Sequence, residues 1–260
     1  MPLNKSYRTI ELPSRGVLYD GLIPDGIVKC DIWDTSIEEL FAGGGSSPTT
    51  LISDVLERSL IDLPIPVNEL LVGDRYYAFL ALRAESYGDE YSFLLKCSSC
   101  KFQWRPTIGI LKDLNIIKLE DDAKEPFEVI LPYSDDKVTY RLLRGKDEEE
   151  IDKRIDKIFK AKSRGAKLEK GGIISNKKIV DPSYKLRLAR HILTVNGQEL
   201  DFDDAVSWFS KIKGIDSLEL RRSIDSNDPR IDMNISLECP RCDSINETFL
   251  PFTPELVSPR

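Results

Sequence analysis

Four of the five cysteines stand as two C-x-x-C pairs, Cys97–Cys100 (CSSC) and Cys239–Cys242 (CPRC), while Cys30 stands alone. Thiolates at this spacing suit two chemistries: dithiol exchange, or coordination of a metal such as Zn²⁺. The redox reading requires a pair at the start of a helix in a βαβ unit. Here each pair lies between strand-like segments, Tyr91–Lys96 and Lys101–Ile108 around the first, Asp232–Glu238 and Ile245–Phe252 around the second. Each pair therefore belongs at a hairpin tip, as in a zinc knuckle, and two facing knuckles supply four thiolates for a tetrahedral ion. The predicted metal ligands are Cys97, Cys100, Cys239 and Cys242, holding one structural Zn²⁺ per chain. Four thiolates leave no open coordination position, so the metal is expected to brace rather than to catalyse. Cys30 follows an alternating segment and reads as a small buried residue.

The spacing is the difficulty, because 138 residues lie between Cys100 and Cys239. Two unconnected knuckles, an iron–sulfur cluster or a site that has lost its metal remain open on spacing alone. A shared site closes only if the fold returns the second hairpin to the first. Loop closure costs only about 0.6 kcal/mol per doubling of length. Structural zinc contributes on the order of 10–16 kcal/mol in finger peptides, so a long insertion is compatible with the site.

Other chemistry is sparse. His191, the one histidine, reads as a helix-surface residue, and Asp201, Asp203 and Asp204 read as acids at a helix N-terminus. No phosphate-cradling loop, dinucleotide fingerprint or nucleophile elbow occurs, so no catalytic or cofactor-binding residue is predicted. The stretch Lys160–Lys178 carries seven basic residues and one acid, Glu169. It reads first as a solvated segment after a helix, and second as a docking surface for an acidic protein or nucleic acid. It lacks aromatics for base stacking.

The elements that must position the cysteines are legible in part. The chain has 260 residues, 41% of them hydrophobic, and a net charge of −7. That length and composition support a buried core without disulfides, and the acidity disfavours a nucleic-acid binder. No apolar run is long enough to span a bilayer, and MPLNKSYRTIELPSRG has no apolar signal core, so a soluble protein in a reducing cytosol is expected. Turn clusters punctuate the first 35 residues. Helical faces follow at Ser36–Phe41 and Thr50–Leu60, then from Arg75 to Ser86 with Asp74 as cap and Gly88 beyond its end. A hairpin is predicted over Pro126–Leu143, turning at Ser134-Asp135-Asp136. Further helices are predicted at Asp147–Arg164 (capped by Asp147, ended by Gly165), Pro182–Thr194, Phe202–Lys213 and Ser217–Asp225. The fold class is α+β: a small β-rich body with a split Cys₄ zinc-ribbon-like knuckle and a helical insertion. The expected organisation is an N-terminal body with the first knuckle over 1–144, the insertion over 145–227, and the second knuckle hairpin and tail over 228–260. The Pro-rich tail from Leu250 to Pro259 suits an extended arm.

Several of these stretches together resemble one family. Leu12-Pro13-Ser14-Arg15-Gly16 with Tyr19, the segment LLVGDRYYAFLALRAESYGDEYSF (Leu70–Phe93) and IKGIDSLELRRSIDSNDPRIDMNISLECPRC (Ile212–Cys242) are similar, in order, to the T-even-type baseplate hub proteins of contractile-tailed phages. The matched parts cover the first ~110 and last ~50 residues, and the middle carries no motif to transfer. The resemblance implies a non-enzymatic structural or assembly component of a tail baseplate, at or near the hub. Its implied partners are other baseplate and tail proteins, such as hub, tape-measure or wedge subunits, with no membrane. It implies a place in the virion tail baseplate after assembly in the bacterial cytoplasm, and it supports pairing the two distant knuckles. The alternative is a zinc-ribbon nucleic-acid-binding protein using Lys160–Lys178, whose affinity would fall steeply with salt. A thiol oxidoreductase is a third reading, and it needs an exposed cysteine of low pKa.

Overall fold

A computed structural model describes residues 7–43, 47–168, 181–251 and 256. In chain order it begins with β1 (Arg8–Glu11), β2 (Ile27–Cys30), α1 (Thr35–Gly43), α2 (Pro48–Ser59), β3 (Leu60–Ile61) and α3 (Val72–Tyr87). Five short strands follow: β4 (Glu90–Ser92), β5 (Leu95–Lys96), β6 (Gln103–Trp104), β7 (Thr107–Gly109) and β8 (Asn115–Ile117). Next come β9 (Phe127–Ile130), β10 (Lys137–Tyr140), α4 (Gly145–Leu168), α5 (Ser183–His191), β11 (Ile192–Val195), β12 (Gln198–Glu199), α6 (Phe202–Phe209) and α7 (Gly214–Asn227). The chain ends through β13 (Arg230–Asp232), β14 (Asn234–Glu238) and β15 (Ile245–Phe249). The fold is mixed α+β with small sheets, and its contacts divide it into two compact units. One comprises Met1–Ala123 with Asp228–Arg260, the other Lys124–Asn227.

The first unit is organised around α3. Its helix is mostly buried, with Phe79, Leu80 and Leu82 at 1% exposure or less, because apolar residues occupy nearly every turn face. Asp74 does not cap it. The helix starts at Val72 with Leu71 before it, and the Asp74 carboxylate leaves the helix end to accept Ser14 N–H at 2.9 Å and Tyr19 O–H at 2.6 Å. The Tyr19 oxygen in turn accepts Leu71 N–H at 2.8 Å. Thus the LPSRG turn and Tyr19 are tied to α3 through one buried carboxylate. Burial pushes its pKa up to about 6 against the two hydrogen bonds that favour its charge. Tyr19→Phe strips a buried carboxylate oxygen and a buried N–H of their partner together, so it is expected to cost about 2–4 kcal/mol. Denaturant midpoints of the two proteins check this, and an unchanged midpoint would contradict it.

Returning from the second unit, β13 pairs antiparallel with β8 and packs on α3, where Pro229 O lies against Gly73. Cys30 is 1% exposed at the inward end of β2, as its alternation predicts. The tail is docked where it is described. Leu250 and Leu256 are fully buried, Arg83 Nε donates to Leu256 O at 2.8 Å, and Tyr91 O–H donates to Pro251 O at 3.1 Å. These contacts contradict a free arm at those positions, because Leu250 and Leu256 are apolar anchors that a proline count overlooks. The remainder of the arm lies outside the described residues.

Among its described residues the second unit carries an antiparallel sheet in the order β12-β11-β10-β9 together with helices α4 to α7. The β9–β10 hairpin turns at the predicted residues, with Asp135 at φ 57°. Three helix details differ from expectation. Asp147 is not the cap of α4 but reaches back to accept Arg144 N–H at 2.8 Å, while Arg141 and Arg190 pair with it. The helix passes Gly165 and runs to Leu168, since a single glycine weakens a helix without ending it. Residues 192–195 form β11 rather than the end of a helix. Ile192, Thr194 and Val195 are β-branched and pair with β10, and Asn196 and Gly197, at φ 52° and 80°, make the tight hairpin turn.

His191 is also not on the surface: it is 8% exposed, and its Nδ1–H donates to Arg141 O at 2.8 Å. Desolvation lowers its pKa from 6.5 to about 4, outweighing that hydrogen bond. An unfolded histidine therefore binds a proton across pH 6.5–4 that the folded one refuses, and folding stability falls as pH drops through that window, by up to about 3 kcal/mol. Asp74 has the opposite sign, since its raised folded pKa penalises the first unit most above about pH 6. Unfolding of His191→Asn, followed between pH 7 and 4.5, is expected to show a flatter loss than the parent; parallel curves would contradict it.

Candidate metal centre

Each C-x-x-C sits at the tip of a short antiparallel hairpin, β5–β6 for the first pair and β14–β15 for the second. The two tips repeat one backbone design. Cys97 N–H donates to Phe102 O at 2.8 Å, and Cys239 N–H to Ser244 O at 3.0 Å. Lys101 N–H returns to Cys97 O, and Asp243 N–H to Cys239 O, at 3.2 and 2.9 Å. The residue after each second cysteine, Lys101 or Asp243, takes a left-handed φ, 63° and 56°. The residues between the cysteines form a turn, which lets both sulfurs of a pair reach one side, whereas positions three apart in a regular strand face opposite ways.

The two tips bring Cys97, Cys100, Cys239 and Cys242 together, their four Sγ atoms all within 4.8 Å of one another. Across the tips Cys97 Sγ lies 3.8 Å from Cys242 Sγ, and Cys100 Sγ 3.7 Å from Cys239 Sγ. These separations rule out disulfides in this arrangement, and all five cysteines are free. A tetrahedron with metal–sulfur bonds of about 2.3 Å has sulfur–sulfur edges of about 3.8 Å, so the donor set and its size fit a four-coordinate ion. Four cysteines in this arrangement could hold a metal ion.

Residues that motif reasoning missed complete the centre. The Ser244 hydroxyl lies 3.2 Å from both Cys97 Sγ and Cys242 Sγ. Its hydrogen bond, against desolvation, pulls the Cys97 thiol down to about 5, and it holds Cys242 below its ordinary range. Cys100 differs: although Phe102 N–H favours its thiolate, desolvation and the three neighbouring thiols push it up to about 11. Four sulfurs this close resist full ionisation until a cation joins them. Asn246, 4% exposed on β15, accepts Ser98 N–H at 2.8 Å and donates to Ser244 O at 2.9 Å, binding one tip to the other. Its only sequence signal is a polar residue at an inward strand position.

The other residues weighed for chemistry do not join this centre. Asp201 caps α6 by accepting Asp204 N–H at 2.8 Å, with Asp203 and Asp204 in the first turn, and His191 packs within the second unit. Lys160 is exposed and pairs with Asp156 at 3.7 Å, Lys162, Arg164 and Lys167 fall on the last turns of α4, and Lys170, Lys177 and Lys178 lie outside the described residues. No helix among the described residues is long and apolar enough to cross a membrane.

The model of one protein family, described as T4 bacteriophage base plate protein, matches residues 38–253. No curated protein and no solved structure matches the chain.

Proposed function

We propose a structural role in the phage tail, on the premise that this chain belongs to the T4 bacteriophage base plate protein family. It acts without catalysis as a hub or hub-proximal subunit that is assembled in the host cytoplasm and binds other baseplate proteins. Zn²⁺ on Cys97, Cys100, Cys239 and Cys242 ties the start and the end of the chain into one body, across the intervening segment. The domain scheme 1–144, 145–227 and 228–260 belongs to this proposal. The observation that supports it is the convergence of four sulfurs from hairpins 138 residues apart at tetrahedral spacing. A closed four-thiolate site is a brace, which suits a protein that must keep its shape under load.

The test is metal content per chain for the parent and for Cys97→Ser and Cys239→Ser. One zinc per parent chain, lost in either variant, supports the split site. Retention of metal in one variant, or two independent half-sites, overturns it. Absence of the protein from tails and assembly intermediates overturns the baseplate role.

A further inference from the structure

The outward face of the β14–β15 hairpin differs from the rest of the metal lobe. Its register sets Asn234 beside Phe249, Ser236 beside Glu247 and Glu238 beside Ile245 on one face, and all six are exposed. The opposite face holds Ile235, Leu237, Asn246 and Thr248, half-buried or buried. Ile245 and Phe249 are 62% and 61% exposed and bracket Glu247 along β15. An antiparallel hairpin with one face solvated ordinarily keeps that face polar. Paired apolar anchors there mark a surface that another molecule covers. Among the described residues neither glutamate has an ion-pair partner. The sheet stops at two strands, and the end of the hairpin away from the cysteines carries a depression lined by Asn234–Ser236 and Glu247–Phe249.

We infer that this face docks an extended segment of another baseplate protein in which a lysine or arginine lies two residues from an aliphatic residue on each side, so that all three share one face. The source of that partner rests on the baseplate reading; the chemistry rests on the face itself. Aliphatic side chains cover Ile245 and Phe249, and the cation meets Glu238 and Glu247. A strand fits because a two-stranded sheet offers strand addition as well as side-chain contacts. Charge complementarity excludes the rival occupants. A second copy would set glutamates against glutamates, and nucleic acid or an anionic lipid surface would be repelled.

The test uses the full chain, with its zinc content measured in the same sample. The probes are a short synthetic peptide with lysine flanked two residues away by valine and isoleucine, serine filling the positions between, and its glutamate counterpart. Amide resonances of residues 234–238 and 245–249 are followed on titration. The lysine peptide is expected to shift them, the glutamate peptide to leave them unmoved, and the Glu238→Lys/Glu247→Lys variant to weaken binding by about tenfold or more. Salt is expected to weaken it further. Lysine-peptide binding that is absent or elsewhere, equal binding of both peptides, an unchanged charge-reversed variant, or self-association through this face would each overturn the inference. A zinc-free protein that still binds at the hairpin would overturn only the metal reading. A zinc-bound protein that does not bind would overturn only the docking face.

Discussion

Replacing Cys239 with serine is expected to release the metal and to strip residues 234–249 of protection from hydrogen exchange, while α3 keeps its own. The hairpin has little else to hold it. Its inward face offers Ile235, Leu237 and Thr248, all only half-buried, and a two-stranded hairpin by itself is marginal in water. The remaining tip-to-tip bonds are the few hydrogen bonds of Asn246 and Ser244, each contributing on the order of 1 kcal/mol. A four-thiolate zinc contributes about ten times that in peptides at neutral pH. Losing one ligand removes most of it and also leaves three crowded thiols whose mutual repulsion opposes the closed arrangement. Exchange measured by mass spectrometry on the parent, the chelator-treated parent and Cys239→Ser checks this. Protection at 234–249 that survives both treatments would show that packing, not metal, closes the lobe.

Gly73→Ala is expected to be among the most damaging single-methyl changes at the described glycines of the first unit. A Cβ at Gly73 would fall 1.7 Å from Pro229 O and 2.9 Å from Pro229 C. Both obstacles are backbone, and Pro229 leads directly into β13, so no side chain can swing aside. Relief requires α3 and β13 to separate by more than an ångström, opening the packing between a central helix and the strand that returns the chain. The expected cost is above about 4 kcal/mol, or a fall in melting temperature of at least about 8 °C. Gly214→Ala is the control, since nothing lies within 4 Å of its Cβ position. Melting of both variants against the parent decides the matter, and a Gly73→Ala protein within two or three degrees of the parent would contradict it.

Much of the local structure was legible because its causes are local. Alternation around each C-x-x-C marked the hairpins, apolar spacing marked α2, α3 and α4, and Asn196-Gly197 marked a tight turn. Misreadings arose where a distant partner decided the outcome. Residues 192–195 carry helix-compatible spacing, and it is the edge of β10 that draws them into a strand. His191 looks like a surface residue beside Arg187 and Arg190 until the fold buries its ring on Arg141 O. Asp74 has the spacing of a cap, and Ser14 and Tyr19, more than fifty residues earlier, claim its carboxylate instead.

The motif residues themselves also acquire their meaning in three dimensions. Ser14 and Tyr19 from the first stretch, Gly73 and Asp74 from the second, and Pro229 from the third meet around the start of α3. By itself the sequence determined that four cysteines stand in two C-x-x-C pairs and that each pair ends a hairpin, because two-residue spacing and strand alternation act within a dozen residues, while its ordered motifs carried the resemblance to baseplate components. Only the tertiary structure decided that the two pairs form one centre, with Ser244 and Asn246 completing it. Bringing sulfurs from positions 100 and 239 to 3.7 Å depends on where β13 docks on β8 and α3, a long-range packing outcome that no local spacing encodes.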